Sequence, residues 1–280
     1  MNSAFADLTV PVDRSGPSQR GVEAAIDLAR GGTRLHFCSV VNASAIVYGG
    51  AMGTPIDPEP MIEALEHDAG AICSEAVARA GARGVAADGK VLFGAVVPAI
   101  RGYAVEVHSD AIVIGTHART GAARVCFGSV AESLMQTCES PVVIAHADDV
   151  TIDDGPIAVA IDGSPASRPA LRKAIELALA QGRRLAIVTV VDGGQSRWNA
   201  ATTVLDDAAD VARALNVDFE LVTLHGPVAE TIVTAAGRLQ SPLIVIGTRG
   251  HGGAARAILG SVAAAVAERA RVPVMVVREH

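Results

Sequence analysis

Aromatic residues and basic runs are both scarce in this chain of 280 residues. Phe, Trp and Tyr make up 3% of the sequence, although half of all residues are hydrophobic. A core built from Ala, Val, Ile and Leu favours parallel strands covered by helices over a sandwich or a barrel. The formal net charge is −7, and no long run of Lys or Arg occurs. Because nucleic acids and anionic membranes need a basic surface, we expect neither as the main partner.

Signals for disulfides, export and membrane insertion are also missing. The first ten residues lack a charged segment followed by an apolar run, so no secretory signal is predicted. The uncharged stretch Phe37–Ile56 contains Asn, Ser, Gly and Pro, which indicate a strand and a glycine-rich loop rather than a transmembrane helix. We expect a soluble, cytoplasmic protein whose four cysteines are thiols without close pairing or metal-type spacing: Cys38, Cys73, Cys126 and Cys138.

Several catalytic and nucleotide-binding motifs are absent as well. No Gly-x-x-x-x-Gly-Lys-Ser/Thr occurs, which argues against a motor-type ATPase. The turns after the predicted first strands carry one glycine each, whereas a dinucleotide site needs Gly-x-Gly-x-x-Gly. No Gly-x-Ser-x-Gly and no catalytic triad can be assembled. The histidines have no metal-type spacing, so we expect surface or hydrogen-bonded core residues and no metal site.

An internal repeat organises the chain. Val12-Asp13-Arg14-Ser15 matches Ile161-Asp162-Gly163-Ser164, which lies 149 residues later. Residues 115–145 align with residues 247–277 without a gap, with 12 identities in 31 positions. We therefore predict two homologous domains, residues 1–147 and 153–280, joined by an acidic linker within residues 148–155.

Each half reads as alternating short apolar strands and helices. Such β-branched runs, separated by helical patterns, are typical of parallel strands buried on both faces. The predicted class is α/β, doubly wound. The predicted strands are Leu8–Val12, Leu35–Val41, Val91–Phe93, Ala111–Ile114 and Pro141–Ala145 in the first half, and Ile157–Ile161, Leu185–Val191, Phe219–Thr223, Leu243–Ile246 and Pro273–Val277 in the second.

Two segments in each half are candidates for a ligand site, because ligands bind beyond the carboxyl ends of the strands in such sheets. One is the turn after the first strand, which starts at Asp13 or Asp162. The other is the glycine loop after the fourth strand, which in the second half ends in Gly260-Ser261 before a predicted helix Val262–Ala270. Helix N-termini and exposed N–H groups bind anions. A plain turn and a plain helix cap remain the alternative reading.

The loop spacing resembles the signature of ATP-binding universal stress proteins: Gly, two residues, Gly, nine residues, then Gly-Ser. The second half has every position, at Gly247, Gly250 and Gly260-Ser261. The first half has Gly115 and Gly128-Ser129, but Ala118 replaces the second glycine. The resemblance covers nearly the whole chain as two copies. It implies two open five-stranded parallel sheets in the order 3-2-1-4-5, similar to adenine nucleotide alpha hydrolases.

The resemblance also implies ATP, with or without Mg²⁺, between the first and fourth strands. The early aspartates and the backbone at the second strand would meet the nucleoside, and the glycine loop and its serine would hold the phosphates. Arg249 is either a phosphate contact or a solvated loop residue. Because alanine at 118 is strained where glycine is needed, the second site is predicted to bind more tightly. The implied binding residues are Asp13, Ser15, Val40, Gly115, Ala118, Gly128, Ser129 and Val130, and Asp162, Gly163, Ser164, Val190, Gly247, Arg249, Gly250, Gly260, Ser261 and Val262.

The implied function is an ATP-binding stress-response or regulatory protein that changes state or partner, with at most slow, incidental hydrolysis. One alternative is an interaction module without ATP, acting through dimerisation; a weaker one is an enzyme on adenylated substrates. The fifth strands would be sheet edges, which invite pairing. We expect them to join the halves as a pseudo-dimer, with a homodimer as a further expectation. Ser44–Pro60 is interpreted as a cover of the nucleotide site, a surface that packs on a partner, or a variable loop, and Gly193–Asn199, with Trp198, as its shorter counterpart.

Overall fold

Strands and helices alternate along the chain in the computed structural model, as the sequence predicts. The structure describes residues 5–29, 32–42, 59–116, 128–145, 155–193, 195–248 and 259–278. The first half contains β1 Asp7–Pro11, α1 Gly16–Leu28, β2 Arg34–Val41, α2 Glu59–Ala82, β3 Ala86–Phe93, α3 Val96–Glu106, β4 Ala111–Gly115, α4 Ser129–Thr137 and β5 Val142–Ala145. The second contains β6 Ile157–Ala160, α5 Ser167–Gln181, β7 Leu185–Val191, α6 Gln195–Ala214, β8 Phe219–His225, α7 Val228–Arg238, β9 Ile244–Gly247, α8 Ser261–Arg269 and β10 Val274–Val277.

One ten-stranded sheet runs through both halves, in the order β3-β2-β1-β4-β5-β10-β9-β6-β7-β8. Neighbouring strands within each half are parallel. Each half therefore has the predicted order 3-2-1-4-5. The two fifth strands pair antiparallel, with Val143 opposite Met275. The expectation that the fifth strands join the halves is confirmed by this pairing.

Helices cover both faces of the sheet, which makes each half doubly wound. One buried cluster packs the sheet against α1, α2, α5 and α6, and the other packs it against α3, α4, α7 and α8. Both clusters contain residues of both halves, such as Val143 and Met275 in the first. The core is aliphatic, as the composition predicts, and its buried aromatic side chains include Phe5 and Phe37.

The outermost strands depart from the prediction that every strand is buried on both faces. Along β3 and β8 no residue is fully buried, and Phe93 and Leu221 are 54% and 40% exposed. Among the described strands, each of these two has a neighbour on one side only, so its outer half meets solvent. β3 also begins five residues before the predicted Val91, because Asp88 and Lys90 interrupt the apolar run.

The prediction of a loop at Gly193–Asn199 is also wrong in part, because α6 already begins at Gln195 and contains Trp198. Its counterpart in the first half, Ser44–Pro60, lies outside the described residues as far as residue 58, and Glu59 and Pro60 belong to α2. The linker 148–155 is described only at Gly155. Across the described ranges, no helix is long and apolar enough to cross a membrane.

Candidate functional site

The turn after the first strand contains the same aspartate hydrogen bond in both halves. The carboxylate of Asp13 accepts a hydrogen bond from the backbone N–H of Ser15 at 2.8 Å, and Asp162 accepts from Ser164 at 2.9 Å. Such Asx turns hold the carboxylate at the carboxyl end of the strand. In the first half the hydroxyl of Ser15 then caps α1 by accepting from the N–H of Ser18 at 3.2 Å. The turn thus fixes an acidic side chain at the predicted ligand position.

A cavity of about 340 Å³ opens beside this turn in the first half. It lies where β1, β2 and β4 end and where α3 and α4 begin, which is the crevice expected for a ligand in an open α/β sheet. Its volume is within the range of about 300–1,000 Å³ that small-molecule sites occupy. Its wall is apolar and its mouth carries hydroxyls and one carboxylate; the lining includes Val12, Asp13, Ser15, Cys38, Ser39, Val40, Val96, Ile100, Ile114, Gly115, Gly128, Ser129 and Val130.

The N-terminus of α4 faces this cavity without a side-chain cap. Gly128 is its N-cap residue, and no side-chain cap hydrogen bond is found among the described residues. Gly128 to Ala131 all line the cavity. The first N–H groups of a helix have no partner within it and carry its positive dipole end. The arrangement therefore offers backbone donors to an anion in the cavity.

Glycine stands at positions 115 and 128 of the motif for different reasons. A side chain at Gly115 would place a carbon atom 1.7 Å from the carbonyl oxygen of Pro17, so packing of α1 on β4 requires glycine there. Gly247 has the same relation to Ala166, at 2.3 Å. A side chain at Gly128 would meet no atom of the described residues within 4 Å, and the φ of −60° suits any residue. Neither packing against the described residues nor backbone conformation requires glycine at 128. Close approach of a ligand would explain why glycine stands there.

The structure gathers the predicted first-half residues around one cavity. Seven of the eight, all except Ala118, line it; Ala118 lies outside the described residues. In the second half, Asp162, Gly163 and Ser164 form the turn. Val190 is half-buried near the end of β7, at the place of Val40 in β2. Gly247 ends β9, Gly260 is the uncapped N-cap of α8, and Ser261 and Val262 start that helix. Arg249 and Gly250 lie outside the described residues.

The base of the glycine loop is held differently in the two halves. In the second half the N–H of Gly260 donates to the carbonyl oxygen of Thr248 at 2.7 Å, which closes the loop directly. In the first half the carbonyl oxygen of Thr116 accepts from the guanidinium of Arg20, at 2.6 Å from Nη2. Pro169 stands at the position of Arg20 in the second half. The sequence prediction did not include Arg20, because nothing but the fold brings α1 to the end of β4.

Other lining residues were missed for the same reason. Cys38 alternates with Val40 along β2 and so shares its face, a signal the sequence did offer. Val96 and Ile100 come from α3, whose approach to the cavity depends on the strand order. Burial raises the pKa of the Cys38 thiol, and the neighbouring Cys73 raises it further. Cys38 is therefore a neutral wall group at physiological pH rather than a nucleophile.

The chain is similar to known proteins in both sequence and fold. A universal stress protein of Mycobacterium bovis is 32% identical over 192 residues, a match that covers 62% of this chain and 64% of that relative. A solved universal stress protein from Archaeoglobus fulgidus covers all of both chains with a TM-score of 0.80 at 22% identity. One solved in complex with cAMP is 26% identical over 45% of this chain, with a TM-score of 0.39. The family model for universal stress proteins matches residues 5–146 and again residues 155–278, so the chain belongs to the universal stress protein family and carries two tandem copies of its domain.

Proposed function

We propose that this protein binds adenine nucleotides, with ATP as the expected ligand, and acts in a stress response by changing its state or partner. The observation that carries the proposal is the first-half cavity, which combines an apolar wall, a fixed carboxylate and an uncapped helix N-terminus. Each of these three parts matches a different part of a nucleotide, and all three meet in one crevice.

Different residues of the cavity suit the base, the ribose and the phosphates of ATP. The half-buried side chains of Val40 and Val96 and the buried Ile100 give a purine ring an apolar surface. Asp13 is exposed at the mouth, where a carboxylate accepts hydrogen bonds from ribose hydroxyls. Gly128 and Ser129 present the helix N-terminus to phosphate oxygens. Where Mg²⁺ accompanies ATP, the phosphates and waters would hold it, as this ion usually prefers.

We extend the proposal to the second half, because Asp162 and the start of α8 repeat the turn and the uncapped N-terminus. We assign no catalytic role beyond slow, incidental hydrolysis. The cysteine thiols of Cys38, Cys73 and Cys138 are free, which supports the cytoplasm as the location. The domain limits 1–147 and 153–280 and a homodimer belong to the same proposal.

Thermal unfolding with ATP tests the function. ATP at about 100 times its Kd should stabilise the protein by about 2.7 kcal/mol per occupied site, which for a chain of this size raises Tm by several degrees. At the same ATP concentration, the double variant Asp13→Asn, Asp162→Asn should lose about half of this shift, because a neutral amide binds ribose hydroxyls about tenfold less tightly than a carboxylate. The amide oxygen still accepts from Ser15 and Ser164, so the turns persist.

Controls separate specific binding from general effects. The exposed Asp207→Asn removes the same charge from α6 and should keep the full ATP shift. Adenosine, which has no phosphate, and cAMP, which has one, should give smaller shifts than ATP. A protein with no ATP shift, or a double variant that keeps the whole shift, would favour the alternative of an interaction module without nucleotide.

The single variants test the predicted inequality of the two sites. Calorimetric titration of wild type with ATP should resolve a tighter and a weaker site, since Ala118 replaces a motif glycine in the first half alone. Asp162→Asn should weaken the tighter site about tenfold, as expected for charge-assisted hydrogen bonds worth 1.5–3 kcal/mol. Asp13→Asn should weaken the other site. If Asp13→Asn instead weakens the tighter site, the first half binds ATP more tightly, and the presence of the second motif glycine does not predict which site has the higher affinity.

A further inference from the structure

A second cavity, of about 440 Å³, lies between β8 and α7 at the outer edge of the second half. None of its lining residues belongs to the Asp162 turn, to β9 or to α8, so it is separate from the proposed nucleotide site. The strand contributes Val222 and Leu224, and the helix contributes Thr231, Thr234, Ala235 and Leu239.

The first half shows what fills the same place there. Helices α3 and α7 both have eleven residues and align without a gap, which puts Tyr103 at the position of Ala235. The ring of Tyr103 is buried, its hydroxyl donates to Asp88 at 3.3 Å, and the ammonium of Lys90 lies 5.1 Å from the ring centre. The second half has Val222 at the position of Lys90.

A histidine completes the filling of the first half. The ring nitrogens of His36 lie 2.8 Å from Asp7 and 3.0 Å from Asp88, and its ring meets that of Tyr103 edge-on at 6.3 Å. Its counterpart on β7 is Ala186. Three ring or long side chains in the first half are thus replaced by two alanines and a valine. Two of the replacing residues, Val222 and Ala235, line the β8–α7 cavity, which is the space that the loss of Tyr103 and Lys90 leaves.

The charge around this space also differs between the halves. In the first half Lys90 pairs with Glu106 at 2.6 Å. In the second half Val222 and Arg238 take these positions, and within the described residues Arg238 has no ion-pair partner. Glu230 also lines the cavity, but it lies eight residues earlier on α7, about 12 Å from Arg238 along the helix axis. The end of the cavity at Arg238 therefore carries a net positive charge.

We propose that the β8–α7 cavity binds a small monocyclic aromatic anion. The aromatic ring takes the place that Tyr103 occupies in the first half, between Ala235 and the strand residues Val222 and Leu224. The anionic group pairs with the guanidinium of Arg238, and the hydroxyls of Thr231 and Thr234 are polar partners within the lining. The ligand class is that of an aryl carboxylate.

Benzoate is the probe for the test, titrated into the ¹⁵N-labelled full chain and followed by amide chemical shifts. We expect shifts confined to β8 and α7. Ala235→Tyr restores the first-half ring and should abolish these shifts. Arg238→Gln should weaken benzoate about fivefold, as expected for an exposed ion pair, and leave the neutral isostere benzamide unchanged.

A control variant and a second cavity-filling variant distinguish loss of the binding site from loss of folding. Ala214→Tyr makes the same change at an exposed position of α6 and should bind benzoate like wild type. Val222→Phe fills the cavity from the strand side, and it replaces Ala235→Tyr if the latter fails to fold. Wild-type affinity in a folded Ala235→Tyr or Val222→Phe variant would overturn the site. Shifts outside β8 and α7, or equal loss of benzamide and benzoate binding in Arg238→Gln, would overturn it as well.

Discussion

Replacing Gly115 by Ala is expected to destabilise the protein by about 3 kcal/mol or more, at the upper end of what overpacking costs. The new methyl carbon would lie 1.7 Å from the carbonyl oxygen of Pro17 and 2.8 Å from the nitrogen of Gly21. Both are backbone atoms, so no side chain can move aside. The N-terminal turn of α1 must separate from the end of β4. Urea unfolding followed by far-UV circular dichroism measures the loss.

Gly128→Ala is the matched control, because it adds the same methyl group to the same loop. Its φ is −60° and the added carbon has no neighbour within 4 Å in the described part of the chain, so the unfolding free energy should stay within about 0.5 kcal/mol of wild type or rise slightly. ATP affinity should fall instead, since the methyl group occupies the approach to the helix N-terminus. Equal stabilities of the two variants would contradict the packing argument, and unchanged ATP affinity in Gly128→Ala would contradict the ligand argument.

The fold could be predicted from the sequence because its signals are local and repeated. Continuous β-branched runs such as residues 111–114 mark buried strands, and the recurrence of Asp13-Arg14-Ser15 as Asp162-Gly163-Ser164 marks the duplication. The strand order came from the resemblance rather than from the pattern. Once the order is given, the ends of β1 and β4 must adjoin, which is why Asp13 and Gly128 were predicted together and are found together.

What the sequence did not show depends on tertiary contacts. The start of β3 is hidden because an edge strand tolerates Asp88 and Lys90, which break the apolar run. Arg20 reaches Thr116 across 96 residues, a contact that no local pattern encodes. The β8–α7 cavity could not be predicted from local patterns. It becomes visible only when α3 is aligned with α7 and β3 with β8, which places Ala235 at the position of Tyr103 and Val222 at that of Lys90.

Val143→Asp should lower the stability of both halves, although it changes only the first. Val143 is fully buried in β5 and faces Met275 of β10, which is also fully buried. A carboxylate there has no partner and must be desolvated or protonated, so we expect a loss of about 4–5 kcal/mol. Trp198 is the only tryptophan and lies in α6 of the second half, so its fluorescence reports on that half alone.

The pairing of β5 with β10 predicts how the fluorescence of Trp198 should respond to this substitution. Because both buried clusters continue across the junction, the two halves should unfold together, and the urea midpoint seen by Trp198 should fall as far as the midpoint seen by circular dichroism. Phe93→Asp places the same carboxylate on the exposed outer edge of the first half and should leave both midpoints nearly unchanged. A Trp198 midpoint that stays at the wild-type value in Val143→Asp would mean that the second half folds independently. In that case the antiparallel junction would align the two sheets without coupling their stabilities.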